Sequence, residues 1–171
     1  MAEDIQYLEH IRSLSAGKDP MSAQGGTIDA IAALLRDIPG PDLARQMQPS
    51  KWSILEIVAH LAEDELVTSW RYRQMLESPG CELRGFDQDL WAAYGHYREW
   101  NITEAFSMFR LLRVANLRFL AHLTEEQWQC YGIHAERGRI TVLDLARHMA
   151  GHDANHLAQI RRLKDQISGS S

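Results

Sequence analysis

The chain has 171 residues, 45% of them hydrophobic and 24% charged. These are the proportions of one ordinary globular domain of 19.6 kDa, long enough to bury a core without disulfides. Its 11 glycines and 5 prolines are too few for a collagenous or turn-rich chain, and a net charge of −5 excludes a dedicated nucleic-acid binder, which must neutralise many phosphates.

Asp4 to Leu14 reads as a helix, broken at Gly17-Lys18-Asp19-Pro20. A second helix runs from about Ser22 to Asp37, with Ile28, Ile31, Leu34 and Leu35 at helical spacing, until Pro39-Gly40-Pro41 stops it. At Ser53-Ile54-Leu55-Glu56 the serine can accept from a first-turn N–H while Glu56 reaches back. That capping box opens a helix to about Glu77, ahead of Pro79-Gly80. Residues 81–100 carry Phe86, Trp91, Tyr94, Tyr97 and Trp100 and read as a packed loop with a short helix. Asn101 starts a helix through about His122, and Thr124-Glu125-Glu126-Gln127 opens a short helical turn. Gly132 to Ile140 reads as an extended loop, and Thr141-Val142-Leu143-Asp144 begins a last helix to about Ile167. The tail Ser168–Ser171 reads as frayed. With no alternating strand pattern, the expectation is an all-α, four-helix bundle with short extra helices, one domain over 1–171 with its core at about 22–167.

Cys81 and Cys130 lie far apart with no CxxC, which fits a reducing cytoplasm better than a disulfide scaffold. The acidic start MAEDIQYLEH has no apolar signal core, and no run of 18 apolar residues spans a membrane.

Eight histidines are the compositional oddity, and three stand at 148, 152 and 156. Spacing of four puts neighbours on one helix face, where two imidazoles can share a metal ion. Chance placement yields roughly 0.4 HxxxH pairs but only ~0.02 triple series. With about 100° per residue and His152 at zero, Leu145, Leu163, Met149 and Ile160 form an apolar stripe centred near +30°. His152 and His156 lie inside the stripe, and His148 lies on its edge near −40°. Imidazoles facing inward need partners or a metal, since an unpaired buried polar group costs on the order of 1–3 kcal/mol. The same two rings can also be satisfied by carbonyls or carboxylates in a polar core. For a third ligand His60 stands out, with Ser53, Ile57, Asp64 and Met75 within about 60° of it on the wheel. Asp64 can bond the imidazole, accept from bound solvent, coordinate the ion, or be a solvated helix-face carboxylate. Glu63 and Glu65 read as surface charges, and Trp52 as part of a hydrophobic staple.

The stretches W-S-I-L-E-I-V-A-H-L at 52–61 and H-D-A-N-H-L-A-Q-I at 152–160 together resemble the DinB-like superfamily of metal-binding helical bundles. The resemblance spans about 22–167. It implies a four-helix bundle with a long crossover between its second and third helices, and a divalent metal, nickel or zinc, on His60, His152 and His156. It implies that Gln159 orients a ligand or bound solvent, while His148 is a flanking group or an alternative ligand. Members act as thiol-dependent S-transferases and isomerases with small thiols such as bacillithiol or mycothiol. Hydrolase-like activity and dimers also occur.

Three imidazoles leave a divalent ion at least one open position. There a water is acidified towards ~7, or a thiolate is held ionised. The first expectation is a metal-dependent S-transferase acting on a small-molecule thiol and an electrophile, with Asp64 orienting the thiol or accepting its proton. The electrophile would lie beside 81–100, against Phe86, Trp91 and Trp100 unless these only cap the bundle. Arg71 and Arg73 can pair with a thiol's carboxylates. The alternatives are a metal-dependent hydrolase, a non-catalytic metal staple between two helices, and a metal-free polar core.

Overall fold

The computed structural model describes residues 5–169, so the expected helix start at Asp4 and the tail residues Ser170 and Ser171 lie outside the described residues. Four long helices form the body: α2 (Pro20–Leu35), α4 (Ile54–Glu77), α6 (Ile102–Leu120) and α8 (Val142–Ser168). Shorter helices are α1 (Ile5–Ser15), α3 (Gly40–Leu43), α5 (Gln88–Tyr94) and α7 (Glu125–Trp128). Both α4 and α8 begin where the sequence predicts, each with its capping box formed: Ser53 with Glu56, and Thr141 with Asp144. The predicted break does separate α1 from α2, but α2 starts earlier than the expected Ser22: Pro20 occupies its first turn, where a missing N–H is harmless, while Asp19 caps the helix by accepting from Ser22 N at 2.8 Å. The tail expected to fray from Ser168 is partly ordered, since Ser168 ends α8 and Gly169 caps it through Asp165 O.

The crossovers differ from expectation. Residues 78–101 and 121–141 meet in a three-stranded sheet of β1 (Cys81–Leu83), β2 (Tyr131–His134) and β3 (Gly138–Thr141). β1 runs parallel to β2 with Cys81 opposite Gly132, and β2 pairs antiparallel to β3 with Tyr131 opposite Thr141. Strands of three and four residues are too short to show alternation; β2 and β3 form a local hairpin, and β1 is paired only through β2, about fifty residues away in the chain. Gly132 permits the pairing, because a Cβ there would stand 2.5 Å from Leu83 Cγ.

The interior is layered. One apolar cluster joins Ile54–Leu61 of α4 to Ala105 and Phe109 of α6 and Ile160 of α8. The other joins Tyr72 and Met75 of α4 to Leu120 of α6 and Val142–Ala146 of α8. Chain numbers rise together along α4 and α6 but oppositely along α4 and α8. Thus α4 and α6 run parallel, as a long crossover allows, and α4 and α8 run antiparallel. Between the two clusters lies a polar midsection holding the histidines and a buried arginine, Arg113.

Helix α1 lies against α8, and Gly151 is the point of closest approach. A Cβ at 151 would sit 2.1 Å from Ile11 O and 2.9 Å from Ile11 Cγ2. Gly151→Ala should therefore push α1 off α8 and lower stability by about 1–3 kcal/mol. The check is a lower urea midpoint together with faster proteolysis within Ile5–Ser15.

Candidate metal centre

His60 projects from α4 two turns past its capping box, and His152 and His156 project from one face of α8. Antiparallel packing brings the three rings to one point. His152 Nε2 lies 3.2 Å from His60 Nε2 and 3.0 Å from His156 Nε2, and all three residues are buried. Among the described residues these are the grouped His, Cys, Asp and Glu side chains placed to hold an ion. His148 stacks on His152, with ring centroids 6.1 Å apart and an interplanar angle of 26°, and is not one of the converging three. It flanks the centre, as its edge position on the wheel suggests.

The surrounding groups orient the rings. The Gln159 amide oxygen only accepts, so His156 Nδ1 donates to it across 2.8 Å, leaving the His156 Nε2 lone pair facing inward. Asp64 Oδ2 lies 3.5 Å from His152 Nδ1. Trp52 packs its ring on His60 at 4.8 Å between centroids, so it braces a candidate ligand. Glu63 and Glu65 are not solvated surface charges. Glu63 accepts from the Tyr97 hydroxyl at 2.6 Å, and Glu65 is 1% exposed and paired with Arg113.

The donor set fits a divalent ion. Metal–imidazole bonds of ~2.0–2.1 Å at tetrahedral angles place ligand nitrogens roughly 3.3 Å apart, close to the two separations found. Burial holds His60 and His152 well below the usual histidine range and His156 down to about 4, so the rings are neutral and their lone pairs are available. His60 Nδ1 and His152 Nδ1 are buried without a hydrogen-bond partner, so the cluster as it stands is not a satisfied polar core.

The metal-free protein should lose stability on acidification. The unfolded chain protonates its histidines near pH 6.5, whereas folded His156 does so at about 4. Between those values the unfolded state binds more protons, so stability falls as pH drops through the window. Asp64 works the other way. Burial, then the neighbouring Glu65, raises it to about 7, and its contribution falls as pH rises from about 4 to 7. Four depressed histidines, His148 included at about 3, outweigh one carboxyl. Chelator-treated protein should unfold at lower urea at pH 5 than at pH 7.5, with His156 alone supplying about 2 kcal/mol. A flat profile would mean that these imidazoles are not buried neutral.

His60 and His152 form part of the lining of a cavity of about 320 Å³, together with Asp64, Arg71, Phe86 and His148. Phe86 thus supplies a wall. Trp91 rests on Phe86 at 4.7 Å between centroids, and Trp100 packs on Tyr97 and donates to Gly95 O. Arg71 is buried and donates to Arg84 O at 2.5 Å. Arg73 turns away, bonding Ser69 and lying 4.6 Å over the Phe119 ring. Cys81 and Cys130 are free thiols packed beside the second apolar cluster.

Several contributors escape sequence reasoning. Tyr7, His134 and Arg137 reach the cavity from segments distant in the chain. Arg113, fully buried, donates to Asp153, Glu65 and Gln24 O. The one available signal is Asp153, standing inside the HDANH stretch.

Fold and cluster together define a helical-bundle protein with a buried three-histidine centre. The chain belongs to the DinB superfamily, whose family model matches residues 26–160. It is 28% identical over 132 residues to a protein of Oceanobacillus iheyensis described as a candidate metal-dependent hydrolase, covering 75% of this chain and 74% of that one. Its fold is shared with YfiT from Bacillus subtilis, described as a probable metal-dependent hydrolase with an unusual four-helix bundle topology. The TM-score is 0.80 at 16% identity, over 87% of this chain and 86% of that one. A mycothiol-dependent maleylpyruvate isomerase aligns with a TM-score of 0.60 at 11% identity, over 81% of this chain but 56% of that longer one. Among the described residues no helix is long and apolar enough to cross a membrane.

Proposed function

We propose that the protein is a metal-dependent enzyme that transfers a small-molecule thiol to an electrophile, with nickel or zinc held by His60, His152 and His156. One observation carries this reading: the three Nε2 atoms converge where His60 and His152 border an open cavity that the Asp64 carboxylate also lines. A centre serving only as a staple gains nothing from such access.

A divalent ion at this point supplies Lewis acidity that makes a nucleophile ionise near neutral pH. Asp64 is suited to take the thiol proton on a carboxylate oxygen, because its pKa of about 7 lies near working pH. The freed sulfur then bonds to the electrophilic carbon as the leaving group departs with its electron pair. Gln159 and Trp52 keep His156 and His60 in place, and Phe86 offers the electrophile an apolar wall. Arg71 brings positive charge to the cavity for an anionic substrate group.

Hydrolysis is the second reading, favoured by the descriptions of the two relatives, with water in place of the thiol. Protein purified without a histidine tag and reloaded separately with zinc and nickel is assayed for conjugation of glutathione, bacillithiol and mycothiol to chlorodinitrobenzene and bromobimane. Activated esters and amides are tested in parallel. The expected result is thiol conjugation that is lost in His152→Ala. Thiol-independent hydrolysis would replace the proposal with the second reading, and full metal occupancy with neither activity would make the centre a staple.

A further inference from the structure

Beside the metal cavity lies a larger cleft of about 710 Å³ whose charge is opposite to that of the chain. Its cationic side chains come from three separate places. Arg12 is on α1 and Lys18 just after it, Arg137 and Arg139 are on the β2–β3 hairpin, and Arg147 is on α8. The close approach of α1 to α8 at Gly151 brings the first group to the last. Among the described residues five cations face two carboxylates here, in a chain with 18 Lys and Arg against 23 Asp and Glu.

Both carboxylates are occupied in helix caps. Asp19 accepts from Ser22 N at 2.8 Å, and Asp144 accepts from Thr141 N at 3.1 Å and Thr141 Oγ1 at 2.7 Å. Each carboxylate keeps its full negative charge, but among the described lining residues the exposed cations Arg12, Lys18, Arg139 and Arg147 still outnumber the two carboxylates. Arg139 holds its guanidinium carbon 4.2 Å from the centre of the Tyr131 ring, a cation–π contact that uses the ring face and none of its N–H donors. Arg137 and His148 line both this cleft and the metal cavity, so the two spaces adjoin. Exposed cations attract a single charge only weakly through solvent and salt. Several converging cations favour a ligand carrying two or more negative charges.

We propose that this cleft binds the anionic end of the enzyme's small-molecule substrate, a polycarboxylate or a phosphate, while the reactive end enters the metal cavity past Arg137 and His148. The proposal rests on the catalytic reading above and adds the substrate class to it.

Citrate and, separately, inorganic phosphate are titrated calorimetrically at low salt into chelator-treated protein, so that no metal competes for the citrate. Binding at one site is expected. It should weaken at least tenfold in Arg12→Gln/Arg147→Gln and stay unchanged in Arg110→Gln/Arg118→Gln, a control pair exposed on α6. Tighter citrate binding assigns the site to carboxylates, and tighter phosphate binding assigns it to a phosphate. No binding, or equal binding by all three proteins, overturns the proposal. Cobalt-loaded protein then links the cleft to the centre through its sulfur-to-cobalt absorption. The midpoint for glutathione, which has two carboxylates, should rise at least tenfold in Arg12→Gln/Arg147→Gln. The midpoint for cysteamine, which has none, should not move. An unmoved glutathione midpoint overturns the link. Absence of the band with both thiols, with citrate binding intact, defeats the thiol-transfer reading and leaves the anion site standing.

Discussion

His152→Ala should fold and yet lose its divalent ion, with the ratio of metal to protein falling at least tenfold at micromolar ion. His152 is the middle member of the triad, within 3.2 Å of His60 Nε2 and 3.0 Å of His156 Nε2, so its removal leaves two donors that no longer share a neighbour. Loss of a hydrogen-bonding partner behind a ligand already costs about 10–100-fold in affinity, and loss of a ligand costs more. Stability should report the same change. An ion at a thousand times its Kd stabilises the folded state by about 4 kcal/mol, and the variant should show almost none of this gain. The metal-free variant should differ little from the metal-free wild type, because the substitution also removes a buried Nδ1 that lacks a hydrogen bond. Metal analysis after gel filtration and urea unfolding with and without zinc are the two measurements. A variant that keeps one equivalent of ion would show that the centre lies elsewhere.

The largest loss of stability should come from Arg113→Met. Arg113 is 0% exposed. Its Nη1 donates to Asp153 Oδ2 at 2.5 Å and to Gln24 O at 2.9 Å, and its Nη2 donates to Glu65 Oε1 at 2.8 Å and Asp153 Oδ1 at 2.9 Å. Asn116 adds a bond to Glu65 and Thr27 one to Asp153. Without the guanidinium, two carboxylates remain in the core with no counter-charge, a loss of about 3–5 kcal/mol. The pH dependence identifies the cause. Unpaired buried carboxylates have raised pKa values, so the deficit against wild type should grow as pH rises from 5 to 8. Arg113→Met/Glu65→Gln/Asp153→Asn should recover a large part of the loss, because it removes the charges as well as their partner. An equal deficit at both pH values, with no recovery in the triple variant, would mean that the loss is one of packing alone.

One buried side of α8 is enough to rank its histidines: the two inside the stripe, His152 and His156, bring their Nε2 atoms within 3.0 Å of each other, and His148, on its edge, stacks beside them. Glu65 is buried where a surface charge is expected, because α4 packs against α6 as well as α8, so a residue turned about 140° from His60 meets Arg113 instead of solvent. The sheet was illegible for a different reason. β1 and β2 are about fifty residues apart in the chain, and neither has enough length to show its period. Arg73 and Arg71 could not be told apart by composition. Only the direction of each side chain sends Arg71 to the cavity and Arg73 to Phe119.

Local sequence determined the helices, their capped starts and the imidazoles each presents, because helix periodicity and end-capping act over a few residues. Tertiary structure alone decided that α4 meets α8 in the register that joins three rings. It also placed a buried arginine between two carboxylates and gathered five cations from three segments around one cleft. Register and helix direction follow from contacts between residues remote in the chain, and no short window of sequence contains them.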